Sequence, residues 1–369
     1  MTQHQHAKTG LIGASVPRVE DQALITGAGQ YVDDIQLPGM LHMAVVRSPH
    51  PKAKILSIET AAARAMPGVA AVITSADLGG KLNVVAMPMF PGMQAPPTPA
   101  LAAGMVYAVG APVAAVAATT RALAQDAANA VEVDYEPLPA TVDVEVATAP
   151  GAAPVRDDIQ HNIVYTTVRE EGDVDKAFAA AGHITRLRIQ SPRLVVLAME
   201  PRGLIAAPER PGQGLRVWIS HQTPHLARSE LAAELGYAEH LIQLSARDVG
   251  GGFGSKAGVY REDLLACHLA LKLGRPVKWV ATRSEDFVAT NQGRDQLMFS
   301  ELALSRDGAM LGLKVKLLAN MGAYLHFATA GPPQRMMGMA PGCYQIRNLR
   351  VEVSGVFTNT VSTGPYRGA

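Results

Sequence analysis

Hydrophobic residues recur along this chain in short runs, and the spacing within each run predicts its secondary structure. Runs that alternate with polar residues, or that are rich in Val, Ile and Ala between turn residues, predict strands. These runs occupy residues 41–47, 55–59, 69–74, 112–118, 131–135, 185–190, 215–220, 241–245, 311–318 and 349–356. Alanine-rich or amphipathic stretches predict helices at residues 60–66, 121–130, 224–235 and 260–272. We expect Arg228 and Glu230 on the exposed face of the third helix.

Strands and helices interleave through the whole chain, and the many glycines and prolines suit a protein that mixes both with many turns, so we assign the chain to the α+β class. Two stretches that contain several prolines interrupt the pattern. The first, residues 87–99, is either an exposed, lid-like loop or a solvated insertion. The second, residues 147–158, predicts an interdomain linker. We therefore place a first domain at residues 1–146, a linker at 147–161 and a second domain at 162–369.

Composition and charge argue against several classes of protein. The chain has 369 residues, 48% of them hydrophobic, and a formal net charge of +1. This balance argues against a nucleic acid, a membrane surface or a polyanion as partner. The start is polar and no stretch of about 18 residues is wholly apolar, so we expect neither a signal peptide nor a membrane span. Two cysteines, Cys267 and Cys343, fit a reducing cytoplasm and offer no spacing for an iron–sulfur site.

The strongest local motif is the run Asp248-Val249-Gly250-Gly251-Gly252-Phe253-Gly254-Ser255-Lys256, which we call the glycine loop. Glycines let a ligand approach the backbone closely, and free backbone N–H groups can hold an anion. The run is not a phosphate-binding P-loop, because no Lys-Ser/Thr pair follows at the right spacing, and it matches a dinucleotide fingerprint poorly. Taken alone, it predicts either a ligand-binding loop or a structural turn.

Three segments occur in one order along the chain: residues 219–224 (Ile-Ser-His-Gln-Thr-Pro), the glycine loop, and residues 364–369 (Gly-Pro-Tyr-Arg-Gly-Ala), which we call the second loop. Together they resemble the large subunit of the molybdenum hydroxylases, a family of xanthine dehydrogenases, aldehyde oxidoreductases and carbon monoxide dehydrogenases. Residues 27–78 resemble that family's N-terminal hammerhead domain, and shorter landmarks stand at residues 199–202 and 322–324. The resemblance implies a hammerhead domain followed by the first molybdopterin-binding domain with mixed sheets, the N-terminal half of the subunit.

The resemblance also implies which residues approach the cofactor. Gln222 matches a glutamine whose side-chain amide bonds an oxo ligand of molybdenum, and an amide can donate such a bond without titrating. In members of the family, the backbone of two loops lies beside the metal or the pterin. The positions of those loops correspond here to Gly251, Gly252, Phe253, Gly254, Arg367 and Gly368. Arg335 matches an arginine that faces the substrate in purine-oxidising relatives and stabilises negative charge there. Alternatively, Gln222 is a polar residue at a strand end whose side chain bonds backbone, and Arg335 is a surface arginine or one that is paired in the core.

Two positions depart from particular members of the family. Purine-oxidising members carry a glutamate directly after the lysine of the glycine loop, whereas this chain has Ala257 there. This difference argues against binding of a xanthine-type substrate in the way those members bind it. Carbon monoxide dehydrogenases carry a copper-holding cysteine where this chain has Gly368, so we expect no copper–molybdenum site. No residue is expected to ligate the metal directly. His50, His221 and His225 lie near the motifs without a metal-binding pattern, and we interpret them as structural.

The family inserts oxygen derived from water into a C–H bond of an aldehyde or an N-heteroaromatic ring. The resemblance therefore implies a molybdenum–pterin cofactor, either molybdopterin or its cytosine dinucleotide, with 2Fe-2S clusters on an iron–sulfur subunit and FAD on a flavin subunit. The family's general base is a glutamate of the C-terminal half, which no glutamate of this chain matches. We expect that half on another chain, unless this sequence is a truncated product. The alternative function is a non-catalytic scaffold or assembly subunit.

Overall fold

A computed structural model describes residues 10–209 and 214–368; the polar start at residues 1–9, residues 210–213 and Ala369 of the second loop lie outside the described residues. The strands are β1 Leu41–Arg47, β2 Ala53–Glu59, β3 Val69–Thr74, β4 Asn83–Val84, β5 Thr98–Pro99, β6 Met105–Val106, β7 Pro112–Ala118, β8 Glu132–Pro137, β9 Ile163–Glu171, β10 His183–Leu194, β11 Gly203–Pro208, β12 Leu215–Ile219, β13 Ile242–Ser245, β14 Val277–Val280, β15 Gly293–Leu304, β16 Met310–Gly322 and β17 Leu349–Phe357.

The helices are α1 Asp21–Ile25, α2 Ala61–Ala65, α3 Ser75–Leu78, α4 Arg121–Asn129, α5 Val144–Ala147, α6 Val174–Ala179, α7 Pro224–Leu235, α8 Arg261–Leu273, α9 Arg283–Ala289 and α10 Gly331–Met339. Two short 3-10 helices lie at Val32–Asp34 and Glu239–Leu241. Among the described residues, no helix is both long enough and apolar enough to cross a bilayer. Each strand and helix that the sequence predicts is present, with its ends shifted by a few residues.

The largest sheet takes strands from both halves of the chain. Its order is β13-β12-β11-β14-β1-β7-β3, and β1 runs parallel to β14 with Leu41 opposite Val277. Every residue of β7 is buried, because alternate alanines face two cores, one beneath α8 and the other beneath α4. This sheet therefore crosses the boundary that we propose between the two domains.

A second sheet lies within residues 163–357 and has the order β10-β15-β16-β17-β9. The pair β16–β17 is parallel, whereas β15 is antiparallel to both of its neighbours. Met337 of α10 packs into the core on one face, and Val144 of α5 packs against a smaller core that contains Leu318 and Val356. Both large sheets are thus mixed, as the resemblance implies.

The proline-rich segment at residues 87–99 packs against this second sheet. Phe90 stacks on Tyr165 with ring centroids 4.4 Å apart, and Met89 and Met93 join the adjacent core. The backbone N–H of Gln94 donates to the carbonyl oxygen of Val164 at 2.9 Å. The segment is therefore not a solvated insertion.

The predicted linker is also packed in place. The side chain of Arg156, only 2% exposed, donates to the carbonyl oxygen of Ala323 at 2.9 Å and pairs with Asp158. The amide of Asn162 donates to the carbonyl oxygen of Ala147 at 3.0 Å. Residues 147–161 are thus a fixed connection and not a flexible tether. Their composition does not indicate this packing, because the contact residue Ala323 lies far away in sequence.

One prediction of an exposed side chain is wrong. Glu230 of α7 is not on the exposed face, since its carboxylate accepts a hydrogen bond from the backbone N–H of Val259 at 2.8 Å. Burial raises the pKa of this carboxyl group. Helical periodicity could not foresee the contact, because Val259 belongs to the segment that follows the glycine loop.

Candidate functional site

The glycine loop and the second loop meet and line one cleft. Its volume is about 600 Å³, within the range of small-molecule sites in enzymes. Other parts of its wall come from the proline-rich segment and from residues 327–335. Six of the eight site residues predicted from the sequence line this cleft: Gln222, Phe253, Gly254, Arg335, Arg367 and Gly368.

Gln222 follows β12 and is held by the glycine loop. Its side-chain Oε1 accepts hydrogen bonds from the backbone N–H groups of Gly254 at 2.9 Å and Lys256 at 3.3 Å. Because both partners can only donate, the amide oxygen must face them, and the Nε2 hydrogens are directed the other way. Gln222 therefore presents a non-titrating donor to the cleft that it lines.

Glycine is required at two positions of the loop because other atoms approach the backbone closely. A Cβ atom at Gly252 would lie 2.4 Å from Oε1 of Gln222. A Cβ atom at Gly254, where φ is +104°, would lie 2.3 Å from the carbonyl oxygen of Pro365 in the second loop. Gly252 thus makes room for the glutamine, and Gly254 makes room for the second loop.

Phe253 joins the two loops in a strained conformation. Its φ of +51° lies in the left-handed region, which a bulky side chain rarely adopts. The backbone N–H of Arg367 donates to the carbonyl oxygen of Phe253 at 2.9 Å, and this bond helps to hold the conformation. Gly251 does not line the cleft; a Cβ atom there would lie 2.9 Å from the Phe253 ring. Its role in the structure is to leave space for that ring.

A buried carboxylate fixes the ends of the glycine loop. Oε2 of Glu200 accepts hydrogen bonds from Oγ of Ser220 at 2.5 Å, from the backbone N–H of Gly250 at 2.8 Å and from Nζ of Lys256 at 2.9 Å. The side chains of Lys256 and Glu200 are 1% and 11% exposed. Burial lowers the pKa of Lys256, and the charge of Glu200 opposes that shift. One carboxylate thus holds the glycine loop against the strand end that carries Gln222.

The sequence did not show this arrangement. The sequence indicates Glu200 only as a family landmark, and its separation of 56 positions from Lys256 hides their ion pair. The helix α10, which carries Arg335 and Gln334 to the cleft, was not predicted, and Met87, Met89 and Phe327 of the cleft wall carry no local signal. Their contribution depends on tertiary packing that no short motif encodes.

Neighbouring backbone holds the side chain of His221 on both ring nitrogens. It is 4% exposed, and its Nε2 bonds the carbonyl oxygen of Gly258 at 3.1 Å. Since a carbonyl can only accept, Nε2 carries the proton and Nδ1 accepts from the backbone N–H of Thr223 at 3.1 Å. Both nitrogens therefore bond neighbouring backbone. Burial lowers the pKa of this imidazole.

The cleft offers hydrogen-bond donors. Donors come from Gln222, Arg335 and Arg367, whereas the described residues contain no group of three or more His, Cys, Asp or Glu side chains that could hold a metal ion. Such a donor set suits an anionic, oxygen-rich group that brings the ligands of its own metal. Gln222 packs against Gly252 and Pro365 packs against Gly254, so this part of the wall is compact and holds the amide donor in place. The residues present therefore fit a metal–pterin cofactor.

Two family models match the chain. The molybdopterin cofactor-binding domain covers residues 155–369, and the aldehyde oxidase and xanthine dehydrogenase a/b hammerhead domain covers residues 26–139. The chain is 37% identical to the carbon monoxide dehydrogenase large chain of Afipia carboxidovorans, over 96% of this chain and 45% of that relative. It is 36% identical to the nicotine 6-hydroxylase large subunit of Paenarthrobacter nicotinovorans, over 97% of this chain and 44% of that relative.

A solved structure agrees with these matches. The crystal structure of quinoline 2-oxidoreductase from Pseudomonas putida 86 aligns with a TM-score of 0.92 at 37% identity, covering 96% of this chain and 46% of that one. The chain thus spans about half the length of the relatives it matches.

Proposed function

Because the chain belongs to the molybdopterin cofactor-binding family and carries the hammerhead domain of aldehyde oxidases and xanthine dehydrogenases, we propose that it forms part of the active site of a molybdenum-dependent oxidoreductase. The proposed reaction oxidises a C–H bond of an aldehyde or an N-heteroaromatic ring, with water as the oxygen source. The observation that carries the proposal is the orientation of Gln222, whose amide donor faces a cleft bounded by both loops.

The N-heteroaromatic class has the stronger support. Two of the similar proteins are named for nicotine 6-hydroxylation and quinoline 2-oxidation, and both of those substrates contain a nitrogen heterocycle. Ala257 and Gly368 stand where the purine-oxidising and copper-containing members carry a glutamate and a cysteine, so xanthine and carbon monoxide are disfavoured as substrates. Arg335 lines the cleft, where its guanidinium can stabilise negative charge that develops on a heteroaromatic ring.

We propose molybdopterin or its cytosine dinucleotide as the bound group. When bound, that group supplies Lewis acidity and a two-electron acceptor. The further partners that we propose are a C-terminal molybdenum-binding half on another chain, an iron–sulfur subunit with 2Fe-2S clusters and an FAD subunit. The two free thiols, Cys267 and Cys343, support a cytoplasmic enzyme.

The residues of this chain bind and orient the reacting partners. Gln222 donates a hydrogen bond to an oxygen in the cleft and keeps its own proton, because an amide does not titrate. Gly252 leaves room for the side chain of Gln222, and Gly254 leaves room for the second loop, so both glycines keep the two loops and the amide donor in position. The ring of Phe253 and the side chains of Met87 and Met89 form an apolar part of the wall, which limits the access of bulk water.

Gln222→Ala should lower kcat by about ten- to a hundredfold in the complete enzyme, since a hydrogen bond to a charged or strongly polar group contributes about 1.5–3 kcal/mol. Gln222→Glu sharpens the test, because it keeps an acceptor for the N–H groups of Gly254 and Lys256 but removes the amide donor. We expect Gln222→Glu to retain molybdenum and to lose at least as much rate. Turnover and molybdenum content should be measured on the same preparation.

The matched control is Gln243→Ala, because Gln243 lies on β13 and accepts a hydrogen bond from Arg216 outside the cleft. This variant should keep the full rate. Full activity of Gln222→Ala and Gln222→Glu would show that the amide does not act in the reaction. A complete native complex without molybdenum and pterin would instead favour the non-catalytic scaffold.

A further inference from the structure

A second cavity of about 60 Å³ lies next to the second loop and shares no lining residue with the cleft. Its wall includes the turn at Gly110, the first turn of α8 and the segment Val288–Asn291. Val361 and Ser362, which lead into the second loop, complete one side. The cavity therefore lies where the two proposed domains and the start of the second loop converge.

A guanidinium that makes no ion pair within the described part of the chain lines this cavity. Arg261 is 9% exposed, and its guanidinium lies over the ring of Tyr324 at 3.9 Å from the centroid. Within the described residues, its Nη1 has no hydrogen-bond partner. The carboxylate of Glu262 also lines the cavity, but it pairs with Arg47 at 2.8 Å and with Arg202 at 3.2 Å. Burial of an unpaired cation is unfavourable, so a nearby anion would stabilise Arg261.

Two further side chains of the wall have unused hydrogen-bonding atoms. Asn291 is 3% exposed and His326 is 5% exposed, and neither Nδ2 of Asn291 nor Nδ1 of His326 has a partner among the described residues. Nε2 of His326 bonds the carbonyl oxygen of Val259 at 3.1 Å and so carries the proton. Burial lowers the pKa of His326 to about 3, which leaves Nδ1 as a neutral acceptor. The wall thus combines a cation, an amide donor and an acceptor.

We propose that this cavity binds a small monovalent anion, of the size of chloride, between the guanidinium of Arg261 and the amide of Asn291. Of the ionised groups of the wall, Arg47 pairs with Glu262 and Glu285, and Glu262 also pairs with Arg202. Arg261 is thus the ionised group of the wall that has no ion pair among the described residues. The volume is sufficient for one such ion and a few water molecules, at about 10–15 Å³ for each water. One of those waters donates to Nδ1 of His326.

The proposed anion is connected to the second loop. Nδ2 of Asn291 lies 2.9 Å from the position of a Cβ atom at Gly364. The next residue, Gln292, donates from its backbone N–H to the carbonyl oxygen of Ser362 at 3.0 Å and accepts from the N–H of Gly364 at 2.8 Å. An anion that orders Asn291 therefore supports the first residue of the loop. Binding of this anion does not depend on the proposed function.

The experiment uses the complete enzyme in sodium chloride and in sodium gluconate at equal ionic strength. If chloride is present at a hundredfold excess over its dissociation constant, the Tm should be about 3 °C higher in chloride. Arg261→Met should abolish the difference, while Arg186→Met, which removes an exposed cation paired with Glu301, should retain it. Asn291→Ala should reduce the difference and serves as the second variant if Arg261→Met does not fold.

Crystals grown in sodium bromide locate the ion. We expect an anomalous peak in this cavity within hydrogen-bonding distance of the Arg261 guanidinium. Density that fits water alone, without a bromide peak, would overturn the proposal. Equal Tm values in chloride and gluconate, or a chloride effect that persists in both Arg261→Met and Asn291→Ala, would overturn it as well.

Discussion

Gly252→Ala should lower turnover of the complete enzyme by at least about a hundredfold and reduce its molybdenum content. The new Cβ atom would lie 2.4 Å from Oε1 of Gln222, so the glutamine must move away. Its move breaks the bonds to the N–H groups of Gly254 and Lys256, at about 1–3 kcal/mol for each unsatisfied group that stays buried. It also misplaces the amide donor, and a shift of about 1 Å at a reacting centre can cost about a hundredfold in rate.

The control for this prediction is Gly338→Ala. Gly338 lies on α10, and a Cβ atom there meets nothing within 4 Å. Alanine favours a helix over glycine by about 0.5–1 kcal/mol, so this variant should be as stable as the parent or more so, with an unchanged rate. Metal content and turnover of both variants should be compared in the same assembled complex. Normal molybdenum loading and normal turnover of Gly252→Ala would show that the glycine loop does not shape the site.

Much of the fold could be predicted from the sequence because its elements are set by local pattern. The run at residues 112–118 consists of small and β-branched apolar residues, and it forms the fully buried strand β7. Pro224 predicts the start of α7, and Gly236 adopts the left-handed conformation that ends it. Such signals depend on a few neighbouring residues, so they can be read without knowledge of the contacts that the rest of the chain makes.

Long-range contacts are the part that the sequence could not supply. The helix α10 contains two glycines and a pair of prolines, which argue against a helix locally. It forms because the prolines stand in its first turn, where their missing N–H is harmless, and because Met337 packs into a core. Similarly, nothing near Glu230 indicates that it accepts a bond from Val259.

The candidate site also combines residues that the sequence indicates with long-range contacts that it does not indicate. The resemblance indicated Gln222 and the two loops, and the structure brings six of the eight predicted residues to one cleft. Their roles in catalysis stay predictions. The approach of Gly251 to the cofactor also stays a prediction; in the structure this glycine leaves space for the ring of Phe253. The supporting contacts of Glu200 were missed, because an ion pair between distant residues leaves no local pattern.

Lys256→Met should lower the free energy of unfolding by about 3–5 kcal/mol, because it leaves the carboxylate of Glu200 buried without its cation. Lys256 is 1% exposed, and its Nζ lies 2.9 Å from Oε2 of Glu200. Methionine has a similar length and apolar stem, so the packing changes little and the loss comes from the missing charge. Unfolding in urea can be followed through the fluorescence of Trp279, which is 1% exposed in the large sheet.

Two comparisons separate this effect from a general loss of charge. Lys54→Met removes the cation of an exposed pair, in which Lys54 and Glu136 are 51% and 49% exposed, and should change stability by less than about 1 kcal/mol. The double variant Glu200→Gln and Lys256→Met removes both buried charges and should recover part of the loss, since a neutral amide can still accept from Ser220 and Gly250. If Lys256→Met is no less stable than Lys54→Met, the buried pair does not hold the glycine loop in place. In that event Glu200 fixes the loop through its bonds to Ser220 and Gly250 alone, and Glu200→Gln should leave the position of Gln222 unchanged.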